Sequence, residues 1–312
     1  MDKNIWMTIL IGIAMLGNLG MAHLSGNEST ALQQDFSFGN EQQVEILGYT
    51  GHAMEPFLSR DSRFLFFNSL NDSINTNLYY ARRISDNQFQ WIGEVQGVNG
   101  EAPHLDAVAS LEDGNQFYFI SNRNYPGDYR NIQSGAFRDG EVLDAAPVEG
   151  DFYIKSPGWI IMDAEINPAG DALFYVNARF DGGALPKEAD LGIALQMGTT
   201  FTKDSNSDAL LKNINTRDFL EYAPSISLQG LELFFTRFSD LTGTQILVSR
   251  RQSLDEPFSV PLLIPIQGKN VEAPSISSDG GVLYYHKMKD GQYSIFQMTR
   301  EKELIEDRVE WH

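Results

Sequence analysis

The chain has 312 residues, no cysteine, 42 acidic against 23 basic side chains, and a formal net charge of −19 at neutral pH. A surface so negative repels phosphate backbones and anionic headgroups, which argues against nucleic acid or an anionic membrane face as a partner. The lack of thiols excludes disulfides, thiolate zinc sites and cysteine nucleophiles, while 42% hydrophobic and 12% aromatic residues supply a packed core of strand-favouring side chains.

At the N-terminus, Lys3 precedes an apolar run over residues 5–22 that is interrupted by Thr8, Asn18 and several glycines. A charged start, an apolar centre and a small-residue site near Gly20-Met21-Ala22 predict a secretory signal over 1–22, and with it export to the periplasm or the cell exterior. Left uncleaved, the run is long enough for a membrane anchor, which would then be the only membrane contact. Residues 23–42 carry little apolar content and read as a linker, with the domain over 43–312.

Five aromatic strand cores follow: Leu65-Phe66-Phe67, Phe117-Tyr118-Phe119, Leu173-Phe174-Tyr175, Leu233-Phe234-Phe235 and Leu283-Tyr284-Tyr285. They are spaced by 52, 56, 60 and 50 residues between first positions. A period of that length with four strands per unit predicts an all-β fold, a five-bladed β-propeller of four-stranded antiparallel blades. The blades are expected near 55–95, 101–150, 163–215, 221–266 and 272–311.

Each unit has a common layout. In the fifth, Glu272-Ala273-Pro274-Ser275-Ile276-Ser277-Ser278-Asp279-Gly280 gives a first strand and an Asp-Gly turn that accepts positive φ, followed by the aromatic strand. Tyr222-Ala223-Pro224-Ser225-Ile226-Ser227 repeats it in the fourth, and Pro56-Phe57-Leu58-Ser59-Arg60-Asp61 in the first. The third, from Asp163, is more diverged. The second, read from Glu101-Ala102-Pro103, carries about five extra residues before Asp113-Gly114, suggesting a longer turn or a bulge. Third strands are expected at 77–81, 131–135, 191–195, 245–249 and 293–298, and outer strands at, for instance, 89–95 and 260–266. The last unit ends in a short stretch at 308–311, so residues 44–48 are expected to supply the missing outer strand. The ring is then closed by an N-terminal strand, which removes two open sheet edges and suits a monomer.

An acidic residue, then Ala-Pro-Ser-Ile-Ser, then Asp-Gly and an aromatic strand resembles the WD40-like PD40 repeat found in the propeller domain of the periplasmic protein TolB. The resemblance covers roughly residues 44–300 and implies the propeller fold, with five units here where that propeller has six. Such repeats serve binding proteins, peptidases and lyases alike, so the resemblance carries no activity.

In a propeller the first strand of each blade lines the axis, which predicts Glu55, Glu101, Asp163, Glu221 and Glu272 at the channel mouth with His52 and His104 close by. Such a ring suits a basic peptide or a cation, calcium included, although no cofactor or metal set is specified. The same acids serve equally well as caps of backbone amides or partners of arginines in a neighbouring blade. Tyr125, Tyr129, Trp159 and Phe180 lie in longer connections, where aromatic rings stack on sugars or anchor peptides, or else fold back into a small core. The segment 180–190 is the longest interruption between strands and the expected contact loop. No nucleophile elbow or phosphate loop is present, and no catalytic residue is assigned. These observations favour an exported binding or scaffold module for a protein segment or glycan. A propeller glycoside hydrolase or polysaccharide lyase is the alternative, since paired carboxylates such as Glu55, Asp163 and Glu221 sit on separate blades. A structural envelope protein without a ligand is the third reading.

Overall fold

The computed structural model describes residues 37–72 and 74–301. The predicted signal and the stretch 308–311 lie outside them. Among the described residues no helix is long and apolar enough to cross a membrane, and the single helical turn is Ser207–Leu210.

The chain forms five sheets in sequence, each built on four antiparallel strands, and two of them gain a short parallel strand, Glu45–Leu47 on the first and Asn75–Thr76 on the second. From the axis outward, blade I is Met54–Leu58, Phe64–Asn68, Leu78–Arg83 and Gln88–Glu94, and blade II is His104–Leu111, Gln116–Ser121, Ile132–Arg138 and Glu141–Pro147. Blade III is Trp159–Ile166, Ala172–Arg179, Glu188–Met197 and Thr200–Lys203, and blade IV is Leu220–Ile226, Glu232–Ser239, Gly243–Arg250 and Leu262–Leu263. Blade V is Lys269–Ile276, Val282–Lys289 and Gln292–Arg300, with Phe38–Gln43 as its outermost strand. The inner strands touch one another in a complete cycle, so the protein is a five-bladed β-propeller.

Three expectations shift in register. The strand paired to Gln292–Arg300 is Phe38–Gln43, ahead of the predicted domain start, whereas Glu45–Leu47 pairs in parallel with Gln88–Gln90 on the outer edge of blade I. Within 260–266 the strand is cut to Leu262–Leu263, with one further bond from the Ile264 amide to the Ile246 carbonyl at 3.0 Å, because Pro261 and Pro265 have no N–H to give the ladder. In blade II, Leu111 faces Phe117 as Ile276 faces Leu283. The counterpart of Ala273-Pro274-Ser275-Ile276 is therefore Val108-Ala109-Ser110-Leu111, and Glu101-Ala102-Pro103 is an exposed stretch before the blade.

Every aromatic triad is fully buried and each faces an adjacent blade. Phe57, Phe66 and Val95 of blade I, for example, pack with Leu111, Phe117 and Phe137 of blade II. The other four blade interfaces are filled in the same way. At roughly 1.5–3 kcal/mol per fully buried large apolar side chain, these five interfaces dominate the stability of a chain without crosslinks.

Two belts of hydrogen bonds tie the blades around the axis. All five inner strands slip register just before the residue equivalent to Ser275, a bulge in which Glu55, Val108, Ala223 and Ala273 take φ near +50°. A bulge takes a backbone N–H out of its own ladder and re-aims the flanking side chains. The freed amides are met by the preceding blade: Glu55 N–H donates to His286 Nδ1 at 3.1 Å, Ala223 N–H to Asp163 Oδ2 at 3.1 Å, and Ala273 N–H to Thr236 Oγ1 at 2.9 Å. Three residues on, Leu58, Ile166, Ile226 and Ile276 donate backwards to Ser275, Ser110, Glu165 and Ser225. The serine and the proline of the repeat are thereby explained: one side chain latches the next blade, and the other residue sits where no amide donor is needed.

Candidate functional site

The starts of the inner strands and the ends of the second strands converge on an axial cavity at one face of the ring. Its walls are mostly apolar, with Met54, Leu70, Leu105, Ile160, Met162 and Phe180 prominent. Its polar groups are Glu55, Asp163, Glu272, Tyr222, Tyr293, Asn71 and Asn122, and among the described residues no Lys, Arg or His lines it. Its open volume is about 60 Å³, room for roughly four to six waters at about 10–15 Å³ each.

The three carboxyl groups differ in how they are held. Asp163 is 4% exposed and one of its oxygens is committed to the Ala223 amide. Glu55 sits on the bulge itself and accepts from Asn71 Nδ2 at 3.2 Å. Glu272 is 2% exposed, and its Oε1 has no hydrogen-bond partner. The Tyr222 hydroxyl, on a ring 6% exposed, approaches Glu272 closely enough to act on its titration as a hydrogen bond does, yet the two fall outside regular hydrogen-bond geometry. Among the described residues these two buried polar atoms have no regular hydrogen bond and only each other nearby, an arrangement that native interiors seldom leave uncompensated.

Burial is the first cause that raises all three acids, because it penalises the charged form. Glu272 is pushed up to about 8, with the Asp163 charge adding to burial and the Tyr222 hydroxyl opposing it. Glu55 is raised well above the usual range by burial, then by Asp163 and Glu272. Asp163 is raised by burial against the pull of the Ala223 amide. His286, behind Glu55, is wholly buried, and its pKa is lowered to about 3. Its Nδ1 accepts a backbone proton, so the imidazole is neutral with hydrogen on Nε2, and the ring stands edge-on to Tyr293 at 5.4 Å. Near neutral pH the cavity therefore holds carboxylic acids without a basic counter-charge. Such a set can donate hydrogen bonds, shuttle protons, or ionise around an incoming cation. Among the described residues no group of His, Asp and Glu side chains is arranged to hold a metal ion.

Of the eleven residues singled out from sequence, the cavity gathers Glu55, Asp163, Glu272 and Phe180. Glu221 lies off it, fully buried against Arg237 at 2.9 Å and accepting from the Thr216 hydroxyl at 2.9 Å, and burial pushes it up to about 7 despite the arginine. Glu101 is exposed in the loop before blade II. His104 is buried with Nε2 on Asn77 Oδ1 at 2.9 Å, and His52 accepts the Tyr293 amide on Nδ1 at 3.1 Å, one residue removed from the cavity wall. Tyr125 and Tyr129 meet edge to face at 5.6 Å, and Trp159 is half-buried at the start of blade III opposite Arg179. Tyr222, Asn71 and Tyr293 were not expected. Tyr222 was recoverable: aligned residue by residue on Ala-Pro-Ser-Ile-Ser, it occupies the position of Glu272, while Glu221 falls on that of Val271.

The fold and its axial cavity define a five-bladed propeller with an acidic, apolar-walled mouth. Neither family models nor curated protein sequences match the chain, so the PD40 likeness rests on its motif. Among solved structures it is similar to Zg3597, a family 117 glycoside hydrolase produced by the marine bacterium Zobellia galactanivorans, at 9% identity over 85% of this chain and 90% of that one, with a TM-score of 0.52. It is likewise similar to the catalytic domain of the Coprinopsis cinerea GH62 α-L-arabinofuranosidase, at 8% identity over 85% and 97%, TM-score 0.52. TolB from Acinetobacter baumannii aligns at 13% identity and a TM-score of 0.45, over 81% of this chain, which spans 55% of that protein's length. At such identities the likeness is one of fold alone.

Proposed function

We propose that the protein is an exported binding module, periplasmic or extracellular, which takes a segment of another protein at the axial mouth. The observation that carries this reading is the cavity itself, with six long apolar side chains surrounding unpartnered polar atoms on Tyr222 and Glu272. A glycan fits it less well. Sugar hydroxyls need many aligned donors and acceptors, whereas to the acids the mostly apolar walls add Asn71, Asn122, Tyr222 and Tyr293. A second reading, glycoside hydrolysis, draws on three raised carboxyl groups around one cavity and on the two glycoside hydrolases of similar fold.

Photo-crosslinking amino acids placed at Leu70 and Met162, on the cavity wall, and at the exposed Met197 as a control, distinguish the two in producing cells. A defined polypeptide adduct at the first two positions and not the third supports the module. Its absence, together with sugar release from a polysaccharide panel that disappears in Glu272→Gln, replaces the module with the hydrolase.

A further inference from the structure

We propose that the axial cavity binds an ammonium or guanidinium group carried on an apolar stem, the chemistry of a lysine or arginine side chain inserted end-on between Glu55, Glu272 and Tyr222. The inference rests on the binding-module reading and names the group that the site selects.

Four observations lead there. Among the described residues the lining holds three carboxyl groups and no Lys, Arg or His, so none of them supplies a compensating positive charge and a cationic ligand would. The Tyr222 hydroxyl and Glu272 Oε1, both more than nine-tenths buried, make no regular hydrogen bond among the described residues, and a group with several N–H donors satisfies such acceptors together where a methyl or a single hydroxyl does not. Apolar side chains stand around the acids, matching a methylene stem whose charged tip lies deepest. Finally, the open space of about 60 Å³ takes the last few heavy atoms of such a chain, at about 10–15 Å³ per water-sized sphere.

Proton release accompanies binding. The titratable groups facing the site are Glu55, Asp163, Glu272, Tyr222 and Tyr293; His286 lies behind Glu55, and further along the axis Glu165 is paired with Arg60 at 3.3 Å. A cation stabilises the ionised carboxylates, so acids that are protonated near neutrality lose protons as it enters. Affinity then rises with pH until the amine itself deprotonates, at about pH 10.

The test is calorimetry on the purified protein with hexylammonium, 1-hexanol and hexanoate, at pH 6, 7 and 8, in two buffers of different ionisation enthalpy. Expected are a preference of at least tenfold for the ammonium over both analogues, a roughly tenfold gain in its affinity from pH 6 to 8, and release of about one proton. Glu272→Gln, which replaces a buried acid by a neutral amide of the same shape and is expected to stay folded, should weaken hexylammonium at least tenfold and flatten the pH dependence. Equal binding of hexanol and hexylammonium, or a pH-independent affinity, overturns the proposal. The two readings fail separately: a polypeptide adduct at Leu70 and Met162 without ammonium preference keeps the module and rejects the cation, whereas ammonium preference without an adduct keeps the cation site and rejects the protein ligand.

Discussion

Replacing Glu272 by glutamine gives a stability change whose size and pH window follow from the site. The folded carboxyl is raised from 4.5 to about 8, so folding favours its proton. That contribution is complete below pH 4.5 and is lost as the pH climbs through 8, above which the wild type buries a carboxylate facing Asp163. At about 1.4 kcal/mol per pH unit the gap corresponds to a ceiling of about 5 kcal/mol. Glu55 and Asp163 take up protons in response, and a buried amide in place of the acid costs about 1–2 kcal/mol of its own. Urea unfolding of wild type and Glu272→Gln at pH 5, 7 and 9 should therefore show near-equal stability at pH 5 and a variant about 3 kcal/mol more stable at pH 9. A difference flat across that range, or a variant less stable at pH 9, would refute the reasoning that burial and like charge raise this group.

Other outcomes follow from the interblade contacts. Arg60 donates from Nη2 to the Ile166 carbonyl at 2.8 Å and to Glu165, and from Nε to the Leu111 carbonyl at 3.2 Å. Arg60→Ala strands a buried acid and should cost about 3–5 kcal/mol in denaturant unfolding, part of which Glu165→Gln restores. Asn131, 1% exposed, brackets the Ile161 peptide, donating to its carbonyl at 2.6 Å and accepting its amide at 3.1 Å. Asn131→Ala should cost about 2–4 kcal/mol and remove hydrogen-exchange protection at Ile161. Gly280 and Gly97 share a positive φ, +70° and +76°, but a Cβ at Gly280 meets nothing within 4 Å whereas one at Gly97 collides with the Val142 carbonyl oxygen. Thermal unfolding should show Gly280→Ala costing about 1–2 kcal/mol and Gly97→Ala more than about 3 kcal/mol.

The fold was legible because the signals that fix it are local and repeated. Aromatic triads mark the strands that fill the blade interfaces, and Asp-Gly marks a turn that only a permissive residue closes. The site was less legible, since it depends on register. Reading Glu221 and Glu101 as equivalents of Glu272 took an acid near Ala-Pro for the same position, yet a slip of one residue sends a strand side chain to the other face. Glu221 therefore meets Arg237, and Tyr222 meets the cavity. The bulge adds a second displacement: Glu55 and Asp163 occupy the position after that of Glu272, so the acids line the channel from two adjacent steps rather than as one ring. Nor could sequence separate Asp163, which caps Ala223, from Glu272, which caps nothing.

The direction of the inner strands has one more consequence. They run away from the cavity mouth, and Phe38 and Arg300 are paired at the far end, beside the turn at Gly281. The described chain thus enters and leaves the ring on one face and opens its cavity on the other, separated by about the length of an eight-residue strand, roughly 25 Å. A surface tethered through Phe38 or Glu301 would thus leave the acidic mouth on the face turned away from the tether.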